Sequence, residues 1–123
     1  MNVLDILLQN EVPAPQTKEF KHKRLSQVYG EDVIFVLKEL GFSKVAELKK
    51  INEDDKEFEV HVILAGVVEP DLKNQDLMNK YGAITPAELA KKMLLPGEIA
   101  DMSYEIEKLS GYRTATLEEI KKN

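Results

Sequence analysis

A carboxylate placed directly after a proline–glycine pair can serve three purposes, and residues 93–104, MLLPGEIADMSY, raise all three for Glu98. It can be a general base, part of a phosphate-cradling loop, or a cap on a helix that starts at Pro96. A general base needs a partner within hydrogen-bond reach, and the neighbouring residues identify neither a Ser/His pair nor a paired-carboxylate geometry. A phosphate loop needs more than the single Gly97 and a Gly-Lys-Ser/Thr ending, and an acid would repel the anion. In the first turn of a helix Glu98 opposes the positive end of the dipole and can accept from free amides. The sequence favours this capping role.

The remaining candidates are weaker. His22 and His61 lack an acidic or histidine neighbour at metal-ligand spacing, so they read as a surface His22 and a half-buried or exposed His61. Asn52-Glu53-Asp54-Asp55 lacks the glycine, alternation and closing glutamate of a calcium loop and reads as a solvated turn. Lys18, Lys21, His22, Lys23 and Arg24 form a basic cluster that could hold phosphate. Glu19 within it, and alternation suited to an exposed edge strand, explain the lysines equally well. Met93, Met102 and Tyr104 could line a groove for a partner, because methionine adapts to varied surfaces. The stripe they belong to reads first as core. No cofactor or metal set is expected.

The elements that must position these residues follow from periodicity and caps. Residues 2–9 carry Val3, Leu4, Ile6, Leu7 and Leu8 as a short amphipathic helix, ended by the linker EVPAPQ. Val33–Leu37 reads as a strand, with a partner in Phe20–Leu25, so a β-hairpin is expected within 18–40. Ser43 suggests the N-cap of a helix through Ile51. Residues 57–68 fit a strand by alternation and a helix by length, and length tips the reading to helix. Asp71–Lys80 reads as a helix closed by Gly82. Thr85-Pro86-Ala87-Glu88 starts the next helix, with Thr85 as cap, Pro86 where no donor is needed, and Glu88 reaching back. Leu89, Ala90, Met93 and Leu94 are its buried stripe. Leu95, Ile99, Met102, Ile106 and Leu109 repeat in steps of four and three, and Ser110-Gly111 ends that helix. A last short helix is expected from Thr116, with Glu119 at its third position.

The expected fold is mainly α with a small β-hairpin (α+β) and a compact helical C-terminal half. Residues 1–16 are read as an N-terminal helix and Pro-containing linker, 17–123 as a single domain with a helical bundle over 43–121. At 123 residues, 43% hydrophobic and 32% charged, the chain suits one soluble domain. Its net charge of −5 disfavours nucleic acid. The absence of cysteine excludes disulfides and thiolate chemistry and suits a reducing cytoplasm. No stretch approaches the ~20 apolar residues of a membrane span.

The C-terminal half resembles a known family. GVVEPDL followed by YGAITPAELAKKMLLPGEIADMSYEIEKLSGY is similar to the XkdN-like tail assembly chaperones of tailed bacteriophages and prophages. The resemblance rests on Pro70, Tyr81-Gly82, Thr85-Pro86 with Glu88, Leu94-Leu95-Pro96-Gly97-Glu98, and Ser110-Gly111-Tyr112. It implies a non-enzymatic protein of the bacterial host cytoplasm, absent from the mature virion. Such proteins bind the long helical tape measure protein and keep it soluble during tail tube assembly. The resemblance also implies helix for residues 57–68. It implies a second partner, a longer form of the chain itself made by ribosomal frameshifting. Lys121-Lys122-Asn123 could be encoded by slippery AAA-AAA-AAY codons, a hypothesis that alternating AAG codons would remove. Two rival readings remain: a nucleic-acid-binding regulatory protein using residues 18–24, and a small enzyme built on Glu98 and His61.

Overall fold

The computed structural model describes residues 2–51 and 54–122. Asn52 and Glu53 of the acidic run, and Asn123 of the terminal Lys-Lys-Asn, lie outside the described residues. The chain runs α1 (Val3–Gln9), β1 (Thr17–Lys21), α2 (Lys23–Tyr29), β2 (Ile34–Lys38), α3 (Phe42–Ile51), α4 (Asp55–Gly66), β3 (Val67–Glu69), α5 (Gln75–Lys80), α6 (Pro86–Met93) and α7 (Pro96–Leu109). The class is the expected one, mainly helical with a small antiparallel sheet.

The three strands lie in the order β1-β2-β3. Phe20 pairs with Phe35 and Lys18 with Leu37, so Phe20, Phe35 and Leu37 share one face. The expected hairpin partner, Phe20–Leu25, is displaced: β1 ends at Lys21, and a helix stands between the strands. The reason is local. His22 keeps extended backbone, and its ring Nδ1 accepts the amide of Leu25 at 3.2 Å, so it caps α2. Gly30, at φ 70°, ends α2 in the left-handed conformation that costs glycine little.

Residues 57–66 are helix, as length and the resemblance suggested, and the chain then passes directly into the unexpected third strand. Asp54 Oδ1 caps α4 through the Lys56 amide at 2.8 Å. Val60, Val62 and Ile63 are all buried, because α4 packs against α3, α6 and α7. A helix buried on several sides shows no clean 3.6-residue stripe, which is why alternation competed with it. At its end a Cβ on Gly66 would lie 2.6–2.9 Å from side-chain carbons of Ile106, so only glycine lets α4 close on α7.

α7 contacts both α4 and β2 and so joins the helical layer to the sheet. Ile99, Met102 and Ile106 are buried, but Leu95 precedes the helix and stays 52% exposed. Two helix starts and the C-terminal end also differ from expectation. α3 starts at Phe42, placing Ser43 inside its first turn. α5 starts at Gln75, because Asn74 Oδ1 caps it through the Leu77 amide at 2.9 Å. Among the described residues no helix follows Thr116, where Leu117 and Ile120 stay exposed.

Candidate functional site

A concavity with about 380 Å³ of space lies between the β1–β2 face and α7. Phe20, Phe35 and Leu37 form its sheet wall, and Met102 its helix wall. His22 is buried beneath, with its ring 5.4 Å from that of Phe35. One bank carries Lys21, Lys23 and Arg24, the other Glu98, Asp101 and Glu105.

At the head of this groove Glu98 is fully engaged. Arg24 Nε donates to its Oε2 at 2.9 Å and Arg24 Nη2 to its Oε1 at 2.8 Å, a two-toothed pairing. The same Nη2 donates to the Met93 carbonyl at 3.0 Å. The Leu95 amide donates to Glu98 Oε1 at 2.8 Å, the capping bond expected of a first-turn glutamate. One guanidinium thus clasps the end of α6 and the start of α7 together across the Pro96-Gly97 joint.

His22 completes the cluster and corrects the expectation of a surface residue. Its Nδ1 is occupied as the α2 cap, so in the neutral ring the proton sits on Nε2. That nitrogen stands 3.3 Å from Glu98 Oε1, without the alignment of a hydrogen bond. The hydrogen bond from Arg24, and then the Leu95 amide and the nearby positive groups, hold the Glu98 carboxyl down to about 2, against an opposing effect of burial. It is ionised at any physiological pH, has no proton to give, and is too weak a base to take one. The arrangement is a lock.

Other residues singled out by sequence have structural places. Thr85 Oγ1 accepts the Glu88 amide at 3.1 Å, and Glu88 Oε2 accepts from Ile84, one residue before the cap. Pro86 and Pro96 are the first residues of their helices. Pro70 follows a cis peptide bond after β3. The Tyr81 hydroxyl lies 3.4 Å from that of Tyr29, and Gly82 takes a positive φ. Ser110 Oγ donates to the Ile106 carbonyl at 2.8 Å and accepts the Leu40 amide at 2.9 Å, tying the exit of β2 to the end of α7. Gly111 takes φ 95°, and Tyr112 lies under the Lys49 ammonium at 5.1 Å. Leu94 and Met93 are buried, Met102 walls the groove, and Tyr104 is exposed beside Lys108 and Arg113. Only Met102 of the three candidate partner-binding residues borders the groove.

The basic cluster is divided. Arg24 is spent on Glu98 and His22 is buried, while Lys21 pairs with Asp32 at 3.1 Å. Sequence reasoning missed both the Arg24–Glu98 pair and the groove wall. No local signal links residues 74 positions apart, and Phe20 and Phe35 announce a strand face without saying what lies opposite. Among the described residues no three His, Cys, Asp or Glu side chains gather as a metal site. No described helix is long and apolar enough to cross a membrane.

Comparison with known proteins places this arrangement. Residues 4–122 match the family model of the phage XkdN-like tail assembly chaperone protein. The phage-like element PBSX protein XkdN of Bacillus subtilis (strain 168) is 26% identical over 130 residues, spanning 92% of this chain and 84% of that one. The crystal structure of the protein yqbn superposes with a TM-score of 0.71 at 25% identity, covering 91% of this chain and 98% of that one.

Proposed function

This chain belongs to the XkdN-like family of phage tail assembly chaperones, and from that premise we propose that it binds the tape measure protein and keeps it soluble during tail tube assembly. The family is one of assembly chaperones, not of enzymes. The observation that supports this client is the open groove between the sheet and α7, apolar at its base and charged along both banks. A helical tape measure segment exposes apolar stripes that aggregate when left in water. A groove of this kind takes such a stripe in the helix-in-groove manner, with spaced side chains as anchors. The chain's net charge of −5 adds repulsion between loaded complexes. We place this work in the host cytoplasm, with the chaperone left behind when the tube closes on its tape measure. A longer frameshifted form of the chain is a second proposed partner, to be decided by reading the codons for Lys121-Lys122-Asn123.

Co-expression with the tape measure protein encoded alongside tests the proposal. The expected result is a tape measure protein that is insoluble alone and soluble in a complex that co-elutes with this chain. Equal solubility with and without the chain, and no complex, would overturn it.

A further inference from the structure

His22 uses both ring nitrogens, and only one state of the ring suits both uses. Nδ1 accepts the Leu25 amide at 3.2 Å and so caps α2. An accepting nitrogen carries no proton, so the neutral ring holds its proton on Nε2, 3.3 Å from Glu98 Oε1. The usual helix caps are Ser, Thr, Asp and Asn, whose oxygens keep their charge state around neutral pH. Histidine changes charge between about pH 5 and 8. Here the added proton lands on the nitrogen that caps the helix.

The ring is held in place when that happens. It is 9% exposed, its centre lies 5.4 Å from that of Phe35, and the His22 backbone N–H donates to the Val33 carbonyl at 2.8 Å. A proton on Nδ1 then faces the Leu25 N–H, two donors with no acceptor between them. The surrounding charges do not relieve this. Lys23 and Arg24 stand on the cationic side, and Lys21 is paired with Asp32 at 3.1 Å. α7 presents Glu98, Asp101 and Glu105, while β2 presents Phe35 and Leu37, which do not titrate. Glu98 is the nearest of the carboxylates, but Arg24 already holds both of its oxygens. What attraction remains acts on Nε2. It keeps the ring where it is and leaves the conflict at Nδ1.

We propose that His22 is a proton-operated latch: neutral, it fastens the first turn of α2; protonated, it releases that turn and with it the hold of Arg24 on the α6–α7 joint. Arg24 is the second residue of α2, so its reach to Glu98 and to the Met93 carbonyl depends on that turn. The same turn borders the head of the groove, so acid loosens one wall of it. The inference is independent of what the groove holds, and its test uses this chain alone.

Hydrogen exchange followed by NMR at about pH 7.5 and about pH 5.5, corrected for the intrinsic effect of pH, tests the latch across the histidine range. Glu98 titrates near 2 and keeps its charge throughout. At the lower pH the Leu25 amide should lose roughly fivefold or more of its protection, the factor that a lost cap corresponds to. The Arg24 Nε–H should exchange faster as well, while the Ile106 amide in the core keeps its protection. His22→Asn, which retains a capping oxygen and takes no proton, should abolish the pH dependence, and His61→Gln should leave it intact. His22→Ser replaces His22→Asn if the latter fails to fold. Nitrogen-15 shifts at about pH 7.5 should show Nδ1 of His22 without a proton. A proton found there, a Leu25 amide equally protected at both pH values, or an Arg24 Nε–H that does not follow it overturns the proposal. So does a pH dependence that survives in His22→Asn or disappears in His61→Gln. A loss of protection shared by Ile106 also overturns it, since the whole fold is then loosening.

Discussion

The Pro96-Gly97 joint and the α1 arm both begin with a side-chain cap, yet they stand at opposite ends of the range of commitment in this molecule. At the joint the charged groups are spoken for: Leu94 and Ile99 are buried, both Glu98 oxygens are bonded, and Arg24 reaches from α2 to clasp two helix ends. In the arm Asn2 caps one end through the Asp5 amide at 2.8 Å and Asn10 Nδ2 donates to the Ile6 carbonyl at the other at 2.7 Å, while five large apolar side chains face water. The contrast teaches that a conspicuous charged motif here is architecture, and that uncovered apolar surface lies elsewhere, in the arm. The groove sits between the two, framed at its head by the lock and open to water along its length.

Substitutions in the committed region should act on stability. Ile106 is fully buried against Gly66, so Ile106→Ala should cost about 2–5 kcal/mol in urea unfolding, the usual range for emptying a core site. A loss under about 1 kcal/mol would mean that the α4–α7 contact is looser than described. Glu98→Gln should cost about 1.5–3 kcal/mol at neutral pH, the range for a hydrogen bond to a charged group. The pH dependence has a definite sign. The folded carboxyl titrates near 2, below its usual 4.5, so its stabilisation is present above about pH 4.5 and lost as pH falls toward 2. The stability gap between the unchanged chain and Glu98→Gln should therefore narrow over that window. A gap that stays constant would show that the lock is not electrostatic.

The arm should behave in the opposite way. Leu4→Glu with Leu7→Glu should change unfolding free energy by no more than about 0.5 kcal/mol, because neither side chain is buried. A larger loss measured on the same urea curve would place α1 against its own body and dissolve the contrast.

The same contrast explains what the sequence disclosed. Thr85-Pro86-Glu88 and Ser110-Gly111 were legible because a cap is settled by residues within one turn of each other. The stripe of Ile99, Met102 and Ile106 was legible because α7 buries one side, and Leu95 misled only by lying one residue before the helix. α2 was hidden because histidine is not among the usual cap residues. β3 was hidden because three residues running straight on from a helix carry no turn signal. The lock was beyond local reasoning: Glu98 could be read as a cap from its own neighbours, but its pairing with Arg24 exists only once α2 folds over the joint. The groove was likewise out of reach, since its walls come from β1, β2 and α7.

The central claim is that the groove, not the lock, holds the client. It is tested most directly by co-expressing the tape measure protein with Phe20→Ser and with the L4E/L7E variant, each first shown by urea unfolding to be folded. The account predicts that Phe20→Ser leaves the tape measure protein insoluble, while the arm variant keeps it in solution as well as the unchanged chain does. A folded Phe20→Ser chain that solubilises the client undiminished would contradict it.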